Sequence, residues 1–428
     1  MSDTRFEHPG FAKAEDQIRR SRPAAVQLLE ELLQIPTANP PGDHYLECAL
    51  LLAERLRDLG FEPTLVDVPA GELRRLGLPP HAPRPSVLAL LGPERDDTPV
   101  LHFHGHYDVI PADAPEAFRL RVQGDLARGR GTADMKGGLV SMLLAAAALL
   151  PLRDRLRGRL CLSIVPDEET GGAAGTGYLF GAGALPRGGI GMLTAEPTGS
   201  VIWNGSRGAL SMRLKVRGRM AHVALQHQGQ NAFEGMLELG AMLQALRREV
   251  EARSFGDDAL GLAGPPSLLL IGGTCRGGVN FNVVPEEMAF SIDRRFHPRE
   301  STERVDKEME AIFRRFRRRG WRLEIERLQR GDASLTPPTG ALPQALAESI
   351  RSVTGREPGF ALCPGILETR FFLQHGIPGL AYGPGELEVS HGPNEHVSLS
   401  RVLEVARVYA RTAWRLLGPK HDPSGREP

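Results

Sequence analysis

Neither sign of charge prevails in this chain: 52 Lys and Arg balance 52 Asp and Glu over 428 residues. Without a global field, the chain is not built to gather nucleic acid or an anionic membrane by bulk electrostatics. Cysteine is scarce too. Cys48, Cys161, Cys275 and Cys363 are far apart and form no C-x-x-C pair. That spacing predicts reduced, mostly buried thiols in a cytoplasmic protein. Long apolar runs are missing. The most apolar stretch, 139–150, falls short of the roughly 20 residues that span a bilayer, so no transmembrane helix is expected. The segment Met-Ser-Asp-Thr-Arg-Phe-Glu-His-Pro at the N-terminus is polar, has no apolar centre and does not read as a secretory signal.

What is present is a globular composition, 41% hydrophobic and 24% charged, at a length that suits two domains of roughly 100–200 residues each. Apolar periodicity predicts helices at 23–33, 45–59 and 136–150. Short apolar runs at 87–91, 100–103 and 160–165 predict strands. Their alternation predicts an α/β fold, a mostly parallel mixed sheet with helices on both faces. In such sheets the chemistry gathers beyond the carboxyl ends of the strands. The middle of the chain changes pattern. Residues 208–216 alternate, 231–252 form a long amphipathic helix, 267–271 and 288–293 read as strands, 303–318 as a helix and 321–326 as a strand. This order predicts a ferredoxin-like α+β unit inserted at 206–328. The catalytic domain is then 1–205 plus 329–428, and the tail after Leu417 is expected to fray. No internal repeat is visible.

Against this background one constellation stands out. His106, Asp108, Asp134, Glu168, Glu169, Glu196 and His391 each sit in a polar or Gly-rich segment, several of them just after an apolar run. Imidazoles and carboxylates without a cysteine make a mixed N/O ligand set. Such a set suits a divalent ion of the zinc or cobalt kind with a position open for water. The carboxylates suffice for two ions that share one, and two-metal sites commonly activate water for hydrolysis. In His106-x-Asp108 the carboxylate has a physical use: it fixes the tautomer of a metal-bound imidazole. Asp134 precedes the apolar helix, where an Asp also serves as an N-cap. The neighbours Glu168 and Glu169 must point different ways. One is free to bind metal while the other holds a water and takes its proton, although a solvated acidic turn uses the same residues. Glu196-Pro-Thr would look the same in an exposed turn. His102 and His104 share the face of His106, but as ligands they would leave the carboxylates unexplained. They are read as supporting or packing residues.

Two motifs mislead. Gly171-Gly-Ala-Ala-Gly-Thr-Gly177 resembles a phosphate cradle but lacks the Lys-Ser/Thr that reaches phosphate and magnesium. Arg314-Arg-Phe-Arg-Arg-Arg319 resembles a nucleic-acid patch, yet it ends a helix whose start is acidic, which suits the helix dipole.

In their order the motifs resemble the M20 metallopeptidase family, over nearly the whole chain from Ile-Pro-Thr-Ala-Asn-Pro-Pro-Gly to Ser-His391-Gly-Pro-Asn-Glu. The resemblance implies that His106, Asp134 and Glu196 hold one metal and that Asp134, Glu169 and His391 hold the other. The ions would be divalent, Zn2+ by preference or Co2+. Asp108 would orient His106, and Glu168 would be the general base and acid. A cis peptide bond is implied between Asp134 and Met135. The inserted unit matches the family's lid, which usually dimerises, so a homodimer through that unit is expected, with the strand at 208–216 able to pair with its twin. In Gly218-Arg-Met-Ala-His222, His222 would reach the partner subunit's site and stabilise the tetrahedral oxyanion. In Asn282-Val-Val-Pro and Asp293-Arg-Arg295, Asn282 and Arg295 would bind the substrate carboxylate. The loop Cys363-Pro-Gly365-Ile-Leu-Glu-Thr-Arg370 contacts substrate in relatives, which makes Gly365 and Arg370 candidate contacts. Here it departs from the family: Glu368 replaces an aspartate, and Ile366 and Leu367 replace small polar residues. Glu196 stands where family aminopeptidases tend to place Asp and deacylases and carboxypeptidases tend to place Glu.

The function expected from all this is a two-metal amidohydrolase. It would cleave N-acyl amino acids or C-terminal peptide bonds beside a free carboxylate. The partner is then a small molecule or short peptide, not nucleic acid or membrane. A dipeptidase or aminopeptidase on the same scaffold is the nearest rival. A non-catalytic metal- or ligand-binding protein on a hydrolase fold is the rival from another class.

Overall fold

The computed structural model describes residues 8–95, 98–255 and 267–419; the polar residues 1–7 and the tail from 420 lie outside the described residues. The chain divides into two compact units. One comprises Met1–Asn204, Thr336–Ala361 and Phe371–Pro428, the other Gly205–Leu335 and Leu362–Arg370. The loop of Gly365 and Arg370 thus groups with the second unit, whereas the sequence reading kept all of 329–428 together.

In the first unit the central strands Arg159–Val165, Val100–His106, Gly189–Thr194 and Gly379–Ala381 lie side by side and parallel. Antiparallel strands flank them, Ser86–Leu91 and Thr64–Val66 on one side and Ile202–Ser206 on the other. The sheet is mixed, with its parallel strands at the centre. Strand alternation sorts the side chains of Val100–His106. Leu101 and Phe103 join the core under the helices Gly137–Leu149 and Leu399–Leu417. His102, His104 and His106 point to the opposite face, where Phe372 and Ile377 pack on Met192.

The helix Gly137–Leu149 is apolar all round and nearly all buried. Residues 132–155 pass by length and composition as a membrane span, but 83% of the window is buried inside the fold, which marks a core helix. Two glycines let it come close. A Cβ on Gly105 would lie 2.6 Å from the Met135 side chain, and one on Gly138 would lie 2.2 Å from the Ala195 carbonyl oxygen. Both contacts sit beside residues of the metal motifs, so the same close packing seats the helix and the strand ends.

The second unit is a four-stranded antiparallel sheet in the order Leu268–Gly277, Glu287–Phe296, Gly208–Arg217, Arg322–Gly331. Helices Ala232–Glu251 and Thr302–Arg318 bury Leu239, Leu243, Val305, Met309 and Phe313 against Leu210, Met212, Leu214 and Val216. This is the ferredoxin-like arrangement. One expectation needs correcting. Gly208–Arg217 has a neighbour on each side, so it has no free edge with which to meet a twin; Leu268–Gly277 is an edge strand. The arginine-rich end of Thr302–Arg318 is a helix C-terminus with Arg317 near Glu310 and Arg319 on Glu238, a solvated face rather than a nucleic-acid patch.

Candidate metal centre and active site

Three neighbouring parallel strands deliver most of the site at one end of the sheet. His106 closes Val100–His106, Glu168 and Glu169 follow Arg159–Val165, and Glu196 follows Gly189–Thr194. Because these strands are parallel and adjacent, residues just past their carboxyl ends must meet. Asp134 arrives from the turn before the apolar helix, and His391 from the loop that leads into His396–Ser398.

The distances give the arrangement. His106 is buried, and its Nδ1 faces the Asp108 carbonyl oxygen at 2.9 Å and the Asp108 carboxylate at 3.5 Å. Nε2 is thereby aimed at Asp134 Oδ1, 3.3 Å away, and Glu196 Oε2, 3.9 Å away. The other oxygen of Asp134 lies 3.2 Å from His391 Nε2, which also has Glu169 Oε1 at 3.3 Å. Two candidate ligand sets result, His106–Asp134–Glu196 and Asp134–Glu169–His391, each with one potential ligand atom per residue within 4.8 Å of the others. His106 Nε2 and Glu169 Oε1 are buried without a hydrogen-bond partner. Buried polar atoms are normally paired, so atoms that converge at ion-pair distance yet make no hydrogen bond fit a shared cation. The donor set of imidazole and carboxylate fits a divalent one.

The electrostatics agree. Asp134 and Glu169 push His391 up to about 10. Burial works against a charge on His106, yet Asp108 and Asp134 prevail and raise its pKa well above the ordinary range. Burial likewise opposes the charge on Asp134, but His106 and His391 hold its carboxyl down. Glu169 is raised, chiefly by burial.

Asp108 ties the two halves of the site together. Its Oδ1 accepts the backbone N–H of Glu168 at 3.2 Å, and its Oδ2 accepts that of Glu169 at 3.1 Å. One carboxylate therefore orients the His106 ring and anchors the turn that carries the paired glutamates. Asn39 donates to the same Oδ2 at 2.8 Å. Asn39 was not among the sequence candidates, although it lies in the quoted segment Ile-Pro-Thr-Ala-Asn. Glu395 was missed in the same way at the end of Ser-His391-Gly-Pro-Asn-Glu. It is buried, its Oε1 accepts the N–H groups of Ala133 and Asp134 at 3.0 and 3.1 Å, and its Oε2 takes Arg130 at 2.6 Å. A polar residue inside a Gly/Pro turn was the available signal. The Asp134–Met135 peptide bond is cis. His102 packs on Phe372, and His104 bonds Ser163 and Thr176, so both support the sheet rather than join a ligand set.

The other candidates belong to the second unit. His222 is exposed at the end of Ala221–His222, and its Nδ1 accepts the Ala224 N–H. That short strand pairs with Val283–Val284, and the Val223 N–H donates to the Asn282 carbonyl at 3.0 Å, so His222 and Asn282 flank one bridge. Arg295 is gripped by Asp293, with Nε to Oδ1 at 2.7 Å. The Gly365 carbonyl accepts the Arg207 N–H at 3.0 Å. Arg370 is buried and donates to the Leu367 carbonyl at 2.8 Å.

Comparison with known proteins adds an independent line. The family model described as Peptidase family M20/M25/M40 matches residues 102–415. The succinyl-diaminopimelate desuccinylase of Alkalilimnicola ehrlichii is 32% identical over 386 residues, which cover 87% of this chain and 94% of that protein. Among solved structures, a dipeptidase of Saccharomyces cerevisiae has a TM-score of 0.75 at 18% identity, covering 94% of this chain and 98% of that one. A dinuclear metal-binding M20 peptidase of Bacillus subtilis has a TM-score of 0.62 at 17% identity, covering 93% and 99%. At such identities the solved structures speak for the fold.

Proposed function

The chain belongs to Peptidase family M20/M25/M40, and on that footing we propose that it is a two-metal amidohydrolase of N-acyl amino acids or of C-terminal peptide bonds beside a free carboxylate. The observation that carries this reading is Asp134. Its two oxygens face His106 Nε2 and His391 Nε2 at 3.3 and 3.2 Å, the disposition of a carboxylate shared by two ions. Zinc is the proposed metal, with cobalt as a working substitute. When bound, a pair of divalent ions supplies Lewis-acid polarisation of the amide carbonyl and lowers the pKa of water.

The chain's own residues supply the rest. Asp108 holds the backbone of Glu168 in place, and Glu168 takes a proton from the attacking water and returns it to the leaving nitrogen. Using one group in both steps suits a carboxyl whose proton is only passing through. His222 is assigned the oxyanion, Asn282 and Arg295 the substrate carboxylate, and Gly365 and Arg370 further substrate contacts; these roles rest on the family resemblance. A desuccinylase relative at 32% identity and the Glu at position 196 support a deacylase over an aminopeptidase. Because the loop Cys363–Arg370 departs from the family, the acyl group is not carried over from that relative.

A homodimer through the second unit is part of the proposal. The edge strand Leu268–Gly277 exposes Leu268 and Leu270, and the adjacent helix Ala232–Glu251 exposes Phe233 and Leu237. Two copies joined edge to edge about a two-fold axis would cover all four. A cytoplasmic location is proposed from the free cysteines, buried except for Cys275.

The test is a hydrolysis screen of metal-stripped protein with zinc or cobalt restored, using N-acyl amino acids and free dipeptides. Deacylation that needs metal and falls roughly 10²–10⁴-fold in Glu168→Gln, with metal retained, supports the reading. Dipeptide cleavage alone selects the dipeptidase rival, and tight metal binding without turnover selects the non-catalytic one. Mixing Glu168→Ala with His222→Ala tests the shared site: activity above both single variants supports it, and none overturns it.

A further inference from the structure

Beside His391 the first unit holds a cavity of about 530 Å3, lined by segments 111–117, 128–130 and 391–395 together with Arg121. It adjoins a small antiparallel sheet of Arg121–Gln123, Leu126–Arg128 and His396–Ser398. The register sets Arg121 directly opposite Arg128 and Arg128 directly opposite His396. Opposed residues in such a ladder share a face, with Cβ atoms about 4.5–5.5 Å apart, and like charges there destabilise the pairing. Among the described residues neither Arg121 nor Arg128 has an ion-pair partner that would offset this. The third arginine of the cavity differs: Arg130 is buried against Glu395. Asp113 and Glu116 also line the cavity, both exposed, and neither comes within ion-pair distance of the opposed pair. A ladder that opposes two arginines on one face beside a candidate ligand histidine is poor for stability and good for holding an anion.

We propose that Arg121 and Arg128 form an anion subsite in the groove that begins at His391, and that it takes a second carboxylate of the substrate. The proposal rests on the amidohydrolase reading, which supplies the substrate. It narrows the class to N-acyl amino acids with a distal carboxylate, on the acyl group or on the amino-acid side chain. Each guanidinium presents a planar fork of N–H donors that matches a carboxylate, and two opposed forks offer donors to both oxygens. The bound anion also relieves the repulsion between the arginines. Asp113 and Glu116 line the same cavity and repel the same anion.

The experiment compares N-acetyl-leucine, N-succinyl-leucine and N-acetyl-glutamate in the parent, in Arg128→Gln and in Arg121→Gln/Arg128→Gln. The expected result is a preference for one of the two distal carboxylates over N-acetyl-leucine. The double variant should shrink that preference about tenfold, through KM rather than kcat. Which substrate responds shows whether the acyl or the amino-acid side reaches the subsite. The double variant's thermal midpoint should be no lower than the parent's, because a like-charge pair is gone. Asp113→Asn/Glu116→Gln should enlarge the preference. No preference in the parent, or one that survives the double substitution, overturns the subsite. If the parent hydrolyses none of the three, the N-acyl amino acid branch of the amidohydrolase reading has failed. The subsite is then read alone by calorimetric titration of the metal-free protein with glutarate: loss of binding in the double variant supports it, and equal binding in both proteins, or none, overturns it.

Discussion

Asp108→Asn removes one charge from the most connected side chain of the site and changes no volume. Asp108 Oδ1 faces the Glu168 N–H at 3.2 Å and His106 Nδ1 at 3.5 Å; Oδ2 faces Asn39 Nδ2 at 2.8 Å and the Glu169 N–H at 3.1 Å. Every neighbour offers a donor. An asparagine offers one acceptor oxygen and one donor NH2. Turned one way, its NH2 meets the Glu168 N–H while His106 Nδ1 keeps the Asp108 carbonyl; turned the other way, it meets the donors of Asn39 and Glu169. The side chain is fully buried, so water cannot take over. Each buried group left unsatisfied costs about 1–3 kcal/mol, and the variant adopts the orientation that leaves one, so the expected cost is about 1–3 kcal/mol.

The charge matters as well. Burial favours a neutral Asp108, but His106 and Asn39 hold its carboxyl below the usual range, so the residue is ionised at neutral pH and supports the imidazole. Removing such a partner typically costs 10–100-fold in metal affinity or activity. The assay is a competition titration with a chromophoric zinc chelator, together with kcat/KM at saturating metal and the thermal midpoint of the metal-free protein. Weaker zinc binding by 10–100-fold and a lower midpoint are expected. A variant that binds metal as tightly as the parent and turns over as fast would refute the claim that Asp108 holds both motifs.

Three further outcomes follow from the same geometry. Glu395→Gln keeps one acceptor for the Ala133 and Asp134 amides but loses the charge that meets Arg130; kcat/KM should fall about tenfold with metal affinity, and an unchanged affinity would show that the shared carboxylate needs no such support. Metal binding should weaken as pH falls, because Asp134 and Glu169 keep His391 protonated below about 10 in the metal-free protein; apparent affinity should drop about tenfold per pH unit for each proton displaced, and a flat calorimetric profile between pH 6 and 9 would contradict it. Burial first, then His104, pushes His102 down to about 3, so the folded chain keeps it neutral while the unfolded chain protonates it below about 6.5; stability is therefore lost as pH falls through that window. His102→Leu removes this loss and two buried nitrogens without partners, so its thermal midpoint should exceed the parent's by a margin that widens from pH 7 to pH 5, and a constant or negative margin would refute the account.

How much of this was legible in the chain depends on the range of the interaction. Helix periodicity is local, and 231–252 and 303–318 appear as Ala232–Glu251 and Thr302–Arg318. Leu399–Leu417 escaped notice although it buries Tyr409 and Trp414 and keeps its apolar residues on one face, with Arg407, Arg411 and Arg415 in a stripe away from it. The fold explains those arginines: Arg407 and Arg411 meet Glu15, and Arg415 meets Glu348. Those partners lie far along the chain, and no local window contains them. Strand order is equally non-local, and so is the fact that Gly208–Arg217 lies inside its sheet.

The site divides along the same line. Its candidate ligands could be picked out because metal chemistry restricts residue type, and a His or Glu just past an apolar run satisfies that restriction on sight. Asn39, Arg130 and Glu395 were not, because their work is to satisfy backbone N–H groups or the carboxylates that do so, a need that exists only once the turns have formed. Asp108 on the amides of Glu168 and Glu169, and Glu395 on those of Ala133 and Asp134, use the same device at the two turns. In each, a buried carboxylate fixes backbone through N–H groups, and the fixed backbone presents a metal ligand. Neither set of bonds involves a metal ion. The ligand positions are therefore set by the protein's own hydrogen bonds, so the chain should hold the site open for metal before any metal arrives.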